Sequence, residues 1–182
     1  MQRIQNTTIE TAPAPSSAML IQVQQKLGLV PNLYAALGNS PAALQVTLQN
    51  GAAQEHSAVS PAFREKIALA VAESNSCDYC LSAHTTIGKM NGLSESETLE
   101  ARRGLSSDPR EQAGLQFAIQ INESRGNISE AHLQTLRDHN YSDQEILDVA
   151  TNVIININTN YMNHIIGTVV DFPAAPSLQT TA

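Results

Sequence analysis

Five helix-start signatures punctuate this 182-residue chain and leave room for little besides helices. Ser40-Pro41, Ser60-Pro61 and Asp108-Pro109 each place a capping side chain before a proline suited to the first helical turn. Ser94-x-x-Glu97 and Ser142-x-x-Glu145 are capping boxes. Ser16 or Ser17 caps an earlier helix that stops at Gly28, Leu33–Leu37 forms a short helical piece, and Ser129 opens a helix to His139. The last helix runs from Ser142 to about Val170, where Asp171-Phe172-Pro173 stops it. Its segment 153–157, VIINI, has strand composition but lies inside the longer helical pattern. Aromatic residues are only 4%, with no Trp, which disfavours a large sheet. The expected fold is all-α, one domain of about eight helices over 16–173, with an irregular arm at 1–15 and a flexible tail at 174–182.

Charge and cysteine use narrow the function classes. Ten Lys and Arg face 17 Asp and Glu, a net charge of -7. With no basic run, neither nucleic acid nor an anionic membrane is an expected partner. No apolar run approaches the ~18 residues of a membrane span, and the first residues lack the apolar core of a signal peptide, so a cytoplasmic location is expected. Two cysteines are too few for a disulfide scaffold, and their C-x-x-C spacing suits redox or metal chemistry.

Both lie in EKIALAVAESNSCDYCLSAH, residues 65–84, as Cys77 and Cys80. Were this one straight helix, Glu65 and His84 would stand about 28 Å apart at ~1.5 Å per residue. A break at Asn75-Ser76 instead makes an antiparallel hairpin in which Glu65 faces His84. Cys77, Cys80 and His84 are then i, i+3 and i+4 neighbours on one helix face. A helix N-terminus or a neighbouring imidazolium lowers a thiol pKa, and a carboxylate orients the imidazole that moves protons. Oxidation of one sulfur followed by attack of the other closes a disulfide. Electrostatics leave open which thiol attacks: Cys77 is nearer the helix dipole, Cys80 nearer His84.

The pattern E-x11-C-x-Y-C-x3-H, with the flanking phrases GLVPNLYAALGNSPAAL (28–44) and NTNYMNH (158–164), resembles the AhpD-like alkylhydroperoxidase group of the carboxymuconolactone decarboxylase superfamily, in its peroxidase-related branch. The resemblance spans roughly residues 10–173. It implies an all-helical fold, trimers or hexamers, and reduction of hydroperoxides through the dithiol. It also implies that Cys80 attacks, Cys77 resolves, and Glu65 with His84 relays protons. No haem, metal or other cofactor is implied. A reducing dithiol partner, lipoyl-type or thioredoxin-like, would restore the thiols. Tyr79 stands where the best-known alkylhydroperoxidases carry a second histidine, and a phenol is a poor proton acceptor near neutral pH.

Tyr79 and His164 are candidates for the site rim; Asn160, Tyr161 and Asn163 fit helix packing or a subunit interface as well. His56, His132 and His139 read as surface residues. Competing functions are a general dithiol-disulfide oxidoreductase, a redox-responsive oligomeric binding protein, a zinc site built from Cys77, Cys80 and His84 with Glu65 or water as the fourth ligand, and a carboxymuconolactone-type decarboxylase. Members with that last activity generally lack the dithiol.

Overall fold

A computed structural model describes residues 1–178. Among the described residues there are nine α-helices, a 3-10 turn at Gln54–His56 and no strand. The helices are α1 (Ala14–Leu27), α2 (Asn32–Leu37), α3 (Pro41–Ala53), α4 (Pro61–Ser74), α5 (Asp78–Met90), α6 (Glu95–Arg102), α7 (Pro109–Ser124), α8 (Glu130–Asp138) and α9 (Asp143–Ile166). The all-α expectation holds, with one helix more than the eight expected.

Most starts fall where capping chemistry puts them. Ser40, Ser60 and Asp108 each accept a backbone N–H of the turn they cap, and both capping boxes are closed. Two boundaries differ. The first helix begins at Ala14, not after Ser16 or Ser17, because Pro15 sits in its first turn, where the missing N–H costs nothing. The last helix ends at Ile166, earlier than expected: Gly167 takes the left-handed conformation (φ 65°) and its N–H caps the Asn163 carbonyl.

Helix α4 is the centre of the molecule, packed against α5, α6, α7 and α9. Ile67 to Ala72 are each at most 1% exposed, so this helix is apolar on every side. Its alanines let neighbours approach, while Ile67, Leu69 and Val71 supply the bulk. Burying each of those three stabilises by about 1.5–3 kcal/mol. Lys66 keeps its charge inside by pairing with Glu111 (2.6 Å) and Glu97 (3.4 Å).

The termini are tied to the ends of this bundle. In the arm, Arg3 and Ile4 donate backbone N–H groups to the Ile166 carbonyl. After α9, the chain runs across α5: the Asp171 carboxylate accepts the Asn32 N–H (2.7 Å), and Ala175 donates to the Ser82 hydroxyl (3.3 Å). Arg102, paired with Glu73, donates to the Pro176 carbonyl. Of the expected tail, residues 174–178 thus lie along α5 and α6, and 179–182 fall outside the described residues.

The α9 capping box yields a pH prediction. The Ser142 N–H, aided by the Arg110 guanidinium and opposed by burial, holds the Glu145 carboxyl below its ordinary 4.5. A lowered folded-state pKa stabilises fully above the ordinary value and is lost as pH falls through the lowered one. Glu145→Gln should therefore cost about 1 kcal/mol near neutral pH and little in acid, read as melting temperatures converging with wild type as pH falls.

Candidate active site

The turn between α4 and α5 sets the site. Ser76 adopts φ 54°, the Cys77 N–H reaches the Ala72 carbonyl (2.9 Å) and the Ser76 N–H reaches that of Glu73 (2.9 Å). These two bonds form a Schellman closure, with serine in the position glycine usually fills. Asn75 locks the turn from the side: its amide donates to Asn160 on α9 (2.9 Å), and Asn122 on α7 donates to its oxygen (2.9 Å). The chain therefore reverses at Asn75-Ser76, and α4 and α5 lie side by side.

Cys77 ends one motif and begins the next. It is the N-cap of α5, its sulfur accepting the Cys80 N–H at 3.4 Å. A cysteine here points its sulfur at unsatisfied helix N–H groups, an environment that favours a thiolate. Cys77 and Cys80 are joined as a disulfide with Cα atoms 5.3 Å apart, and are 2% and 3% exposed.

Reversal of the chain brings the carboxylate to the imidazole. Glu65 Oε2 lies 2.8 Å from His84 Nδ1, with both side chains mostly buried. The carboxylate fixes the proton on Nδ1 and leaves Nε2 free, one helical turn beyond Cys80. Among the described residues, no group of three or more His, Cys, Asp or Glu is arranged to hold a metal ion. The two sulfurs are bonded to each other and Nδ1 is taken by Glu65, so the four residues do not converge on a central point.

Among the described residues, neither rim candidate hydrogen-bonds to Cys77, Cys80, Glu65 or His84. The Tyr79 hydroxyl accepts the Leu33 N–H (3.3 Å) near the Asp171 carboxylate, while its ring meets Phe172 edge-on. Burial pushes this phenol far above its ordinary pKa. Tyr79 thus clips the post-α9 segment onto α5. His164 is exposed, and its carbonyl accepts the Arg3 guanidinium. Its neighbour Asn163 is the residue that reaches the thiols, donating Nδ2 to Cys80 Sγ at 3.3 Å. Asn152, Asn156, Asn160 and Asn163 recur at helical spacing and are all buried, and that spacing is the sequence signal for such a contact.

Residues 41–120 match the carboxymuconolactone decarboxylase family. The fold is that of an AhpD-core, peroxidase-related protein from Ralstonia eutropha JMP134, 25% identical, covering 93% of this chain and 92% of that one, with a TM-score of 0.81. The family match covers fewer than half of the residues, while the likeness to this AhpD-core fold extends over nearly the whole chain. A peroxidase-related protein from Silicibacter sp. TM1040 is similar at 25% identity, over 92% of this chain and 90% of that one (TM-score 0.79). A putative antioxidant-defence AhpD protein from Agrobacterium tumefaciens, 21% identical, shares the fold over 74% of this chain and 93% of that one (TM-score 0.62). No curated protein matches significantly.

Proposed function

We propose that this protein is a thiol-dependent peroxidase that reduces hydroperoxides through Cys77 and Cys80. One observation carries the proposal: the Glu65–His84 contact stands one helical turn from a C-x-x-C disulfide, so proton transfer and thiol chemistry share one face of α5. The peroxidase-related proteins of the same fold support it.

The reaction starts from the reduced dithiol. His84 Nε2 takes the Cys80 thiol proton, the thiolate attacks the distal oxygen of the hydroperoxide, the O–O bond breaks, and the departing alkoxide takes that proton from His84. Cys80 becomes a sulfenic acid and the alcohol leaves. Cys77 thiolate then attacks the Cys80 sulfur, and hydroxide departs as water with a proton returned through His84. Glu65 holds the imidazole and supports its charged form. The product is the Cys77–Cys80 disulfide. A partner dithiol, lipoyl-type or thioredoxin-like, exchanges with it, becoming oxidised as the enzyme is reduced.

A homo-oligomer, trimeric or hexameric, is part of the proposal. Leu147, Ile154 and Tyr161 recur at seven-residue spacing along α9 and, with Ile165, are all more than half exposed. A stripe of that kind marks an interaction surface. Among the described residues no helix is long and apolar enough to cross a membrane; the reducing cytoplasm suits the chemistry.

The decisive measurement is stoichiometric. Reduced protein mixed with cumene hydroperoxide should consume one peroxide for each pair of thiols lost, and turnover should continue with dihydrolipoamide. Protein that keeps both thiols while the peroxide persists would exclude the peroxidase function. A change in oligomer size alone would favour a redox-responsive assembly protein.

A further inference from the structure

We propose that Asn163 is a catalytic residue of this site: its amide nitrogen stabilises the Cys80 thiolate, and its free amide oxygen takes the hydrogen of the incoming hydroperoxide. This rests on the peroxidase function above and supplies what the tyrosine at position 79 cannot.

Cys80 is 3% exposed, and burial of a thiol works against the thiolate. Two donors oppose that cost. One is the N-terminus of α5, three residues before Cys80. The other is Asn163, whose Nδ2 lies 3.3 Å from Cys80 Sγ. A disulfide sulfur carries no hydrogen, so the amide nitrogen is the donor in that contact. A hydrogen bond of this kind strengthens when the sulfur gains a full negative charge. Among the described residues Tyr79 makes no hydrogen bond to either sulfur, and its hydroxyl accepts the Leu33 N–H.

The second half of the proposal comes from the amide oxygen. Asn163 is 5% exposed, and its Oδ1 has no hydrogen-bond partner among the described residues. A buried, unpaired carbonyl is costly unless something fills the vacancy during function. The two amide atoms stand on one planar group, with the nitrogen on the nucleophilic sulfur. A hydroperoxide approaching that sulfur brings an O–H whose oxygen is the atom attacked. Oδ1 accepts that hydrogen and holds the distal oxygen in line with the sulfur, while His84 protonates the leaving oxygen. Cys80 sulfenic acid and the alcohol are formed, as in the scheme above, and Asn163 is unchanged.

Asn163 is also rigidly held. Its carbonyl accepts the N–H groups of Gly167 (2.8 Å) and Thr168 (3.2 Å). The arm fastens the same last turn, through Arg3 to the His164 carbonyl and through Arg3 and Ile4 to the Ile166 carbonyl. The amide is thus presented from a turn closed on both sides.

The test titrates Cys80 alone, by thiolate absorbance in a Cys77→Ser background, and measures single-turnover reduction of cumene hydroperoxide with Cys77 present. Asn163→Ala should raise the Cys80 midpoint by about one pH unit and slow the first step roughly tenfold or more. Asn163→Asp, close in shape, should raise the midpoint further, because a carboxylate then faces the sulfur. It carries the comparison if the alanine variant does not fold. Variants that fold with unchanged midpoint and unchanged rate, in an enzyme that consumes peroxide, overturn the role of Asn163 and leave the peroxidase function intact. A shifted midpoint in a protein that consumes no peroxide upholds the thiolate contact and overturns the substrate-holding half. A fall in melting temperature with no shift in the titration marks Asn163 as a packing residue and overturns the proposal.

Discussion

Cys80→Ser is expected to lower peroxide consumption by roughly 10³-fold or more, because a serine hydroxyl has no thiolate-like form near neutral pH. Cys77→Ser should behave differently. The first oxygen transfer should proceed at a rate within about threefold of wild type, since removing a resolving thiol leaves the attacking one in place. Turnover should then halt with a sulfenic acid on Cys80, trapped by dimedone and located by peptide mass. The serine can still cap α5, as serines cap α3 and α4, so this variant keeps the helix start. Sulfenic acid on Cys77 in the Cys80→Ser protein, formed at the wild-type rate, would reverse the two roles. Cys77 caps the helix and Cys80 meets Asn163, so each sulfur has its own stabilising donor and kinetics must decide between them.

Gly114→Ala is expected to be the most destabilising single-methyl change in the fold. Helix α7 crosses α4 at this glycine, and a Cβ there would clash with the Tyr141 hydroxyl and stand 2.7 Å from Phe63 Cζ. Neither neighbour is free to move. Phe63 is 4% exposed, and Tyr141 donates to the Arg110 carbonyl (3.0 Å) while Arg110 stacks 4.1 Å from its ring centroid. Helix propensity alone would favour alanine by about 1 kcal/mol. Overpacking costs about 3 kcal/mol and wins. The net loss of about 2 kcal/mol should lower the melting temperature by roughly 4–8 °C. Gly51→Ala on α3 is the control: nothing lies within 4 Å of its Cβ, so propensity should act alone and raise stability slightly. Equal effects at the two glycines would rule out the packing argument.

The sequence by itself determined what depends on short-range chemistry. Caps reach only three residues, so Ser40, Ser60, Ser94, Asp108 and Ser142 declared their helices without knowledge of the fold. The contact of Glu65 with His84 was readable for a related reason. Once the chain breaks at Asn75-Ser76, the fixed rise of two adjacent helices brings residue 65 opposite residue 84 or 85. Tertiary structure decided the rest. Asn163 is 83 residues from Cys80, and which of the five asparagines on α9 meets the sulfur depends on how that helix rotates and slides against α5. That rotation also separates Asn163 from His164, since adjacent helical residues point about 100° apart and only one can face the thiols. Tyr79 was ambiguous in the sequence because its ring spans core and rim. The Leu33 N–H, brought in from α2, engages its hydroxyl, and the Cys80 sulfur meets an amide from α9 instead.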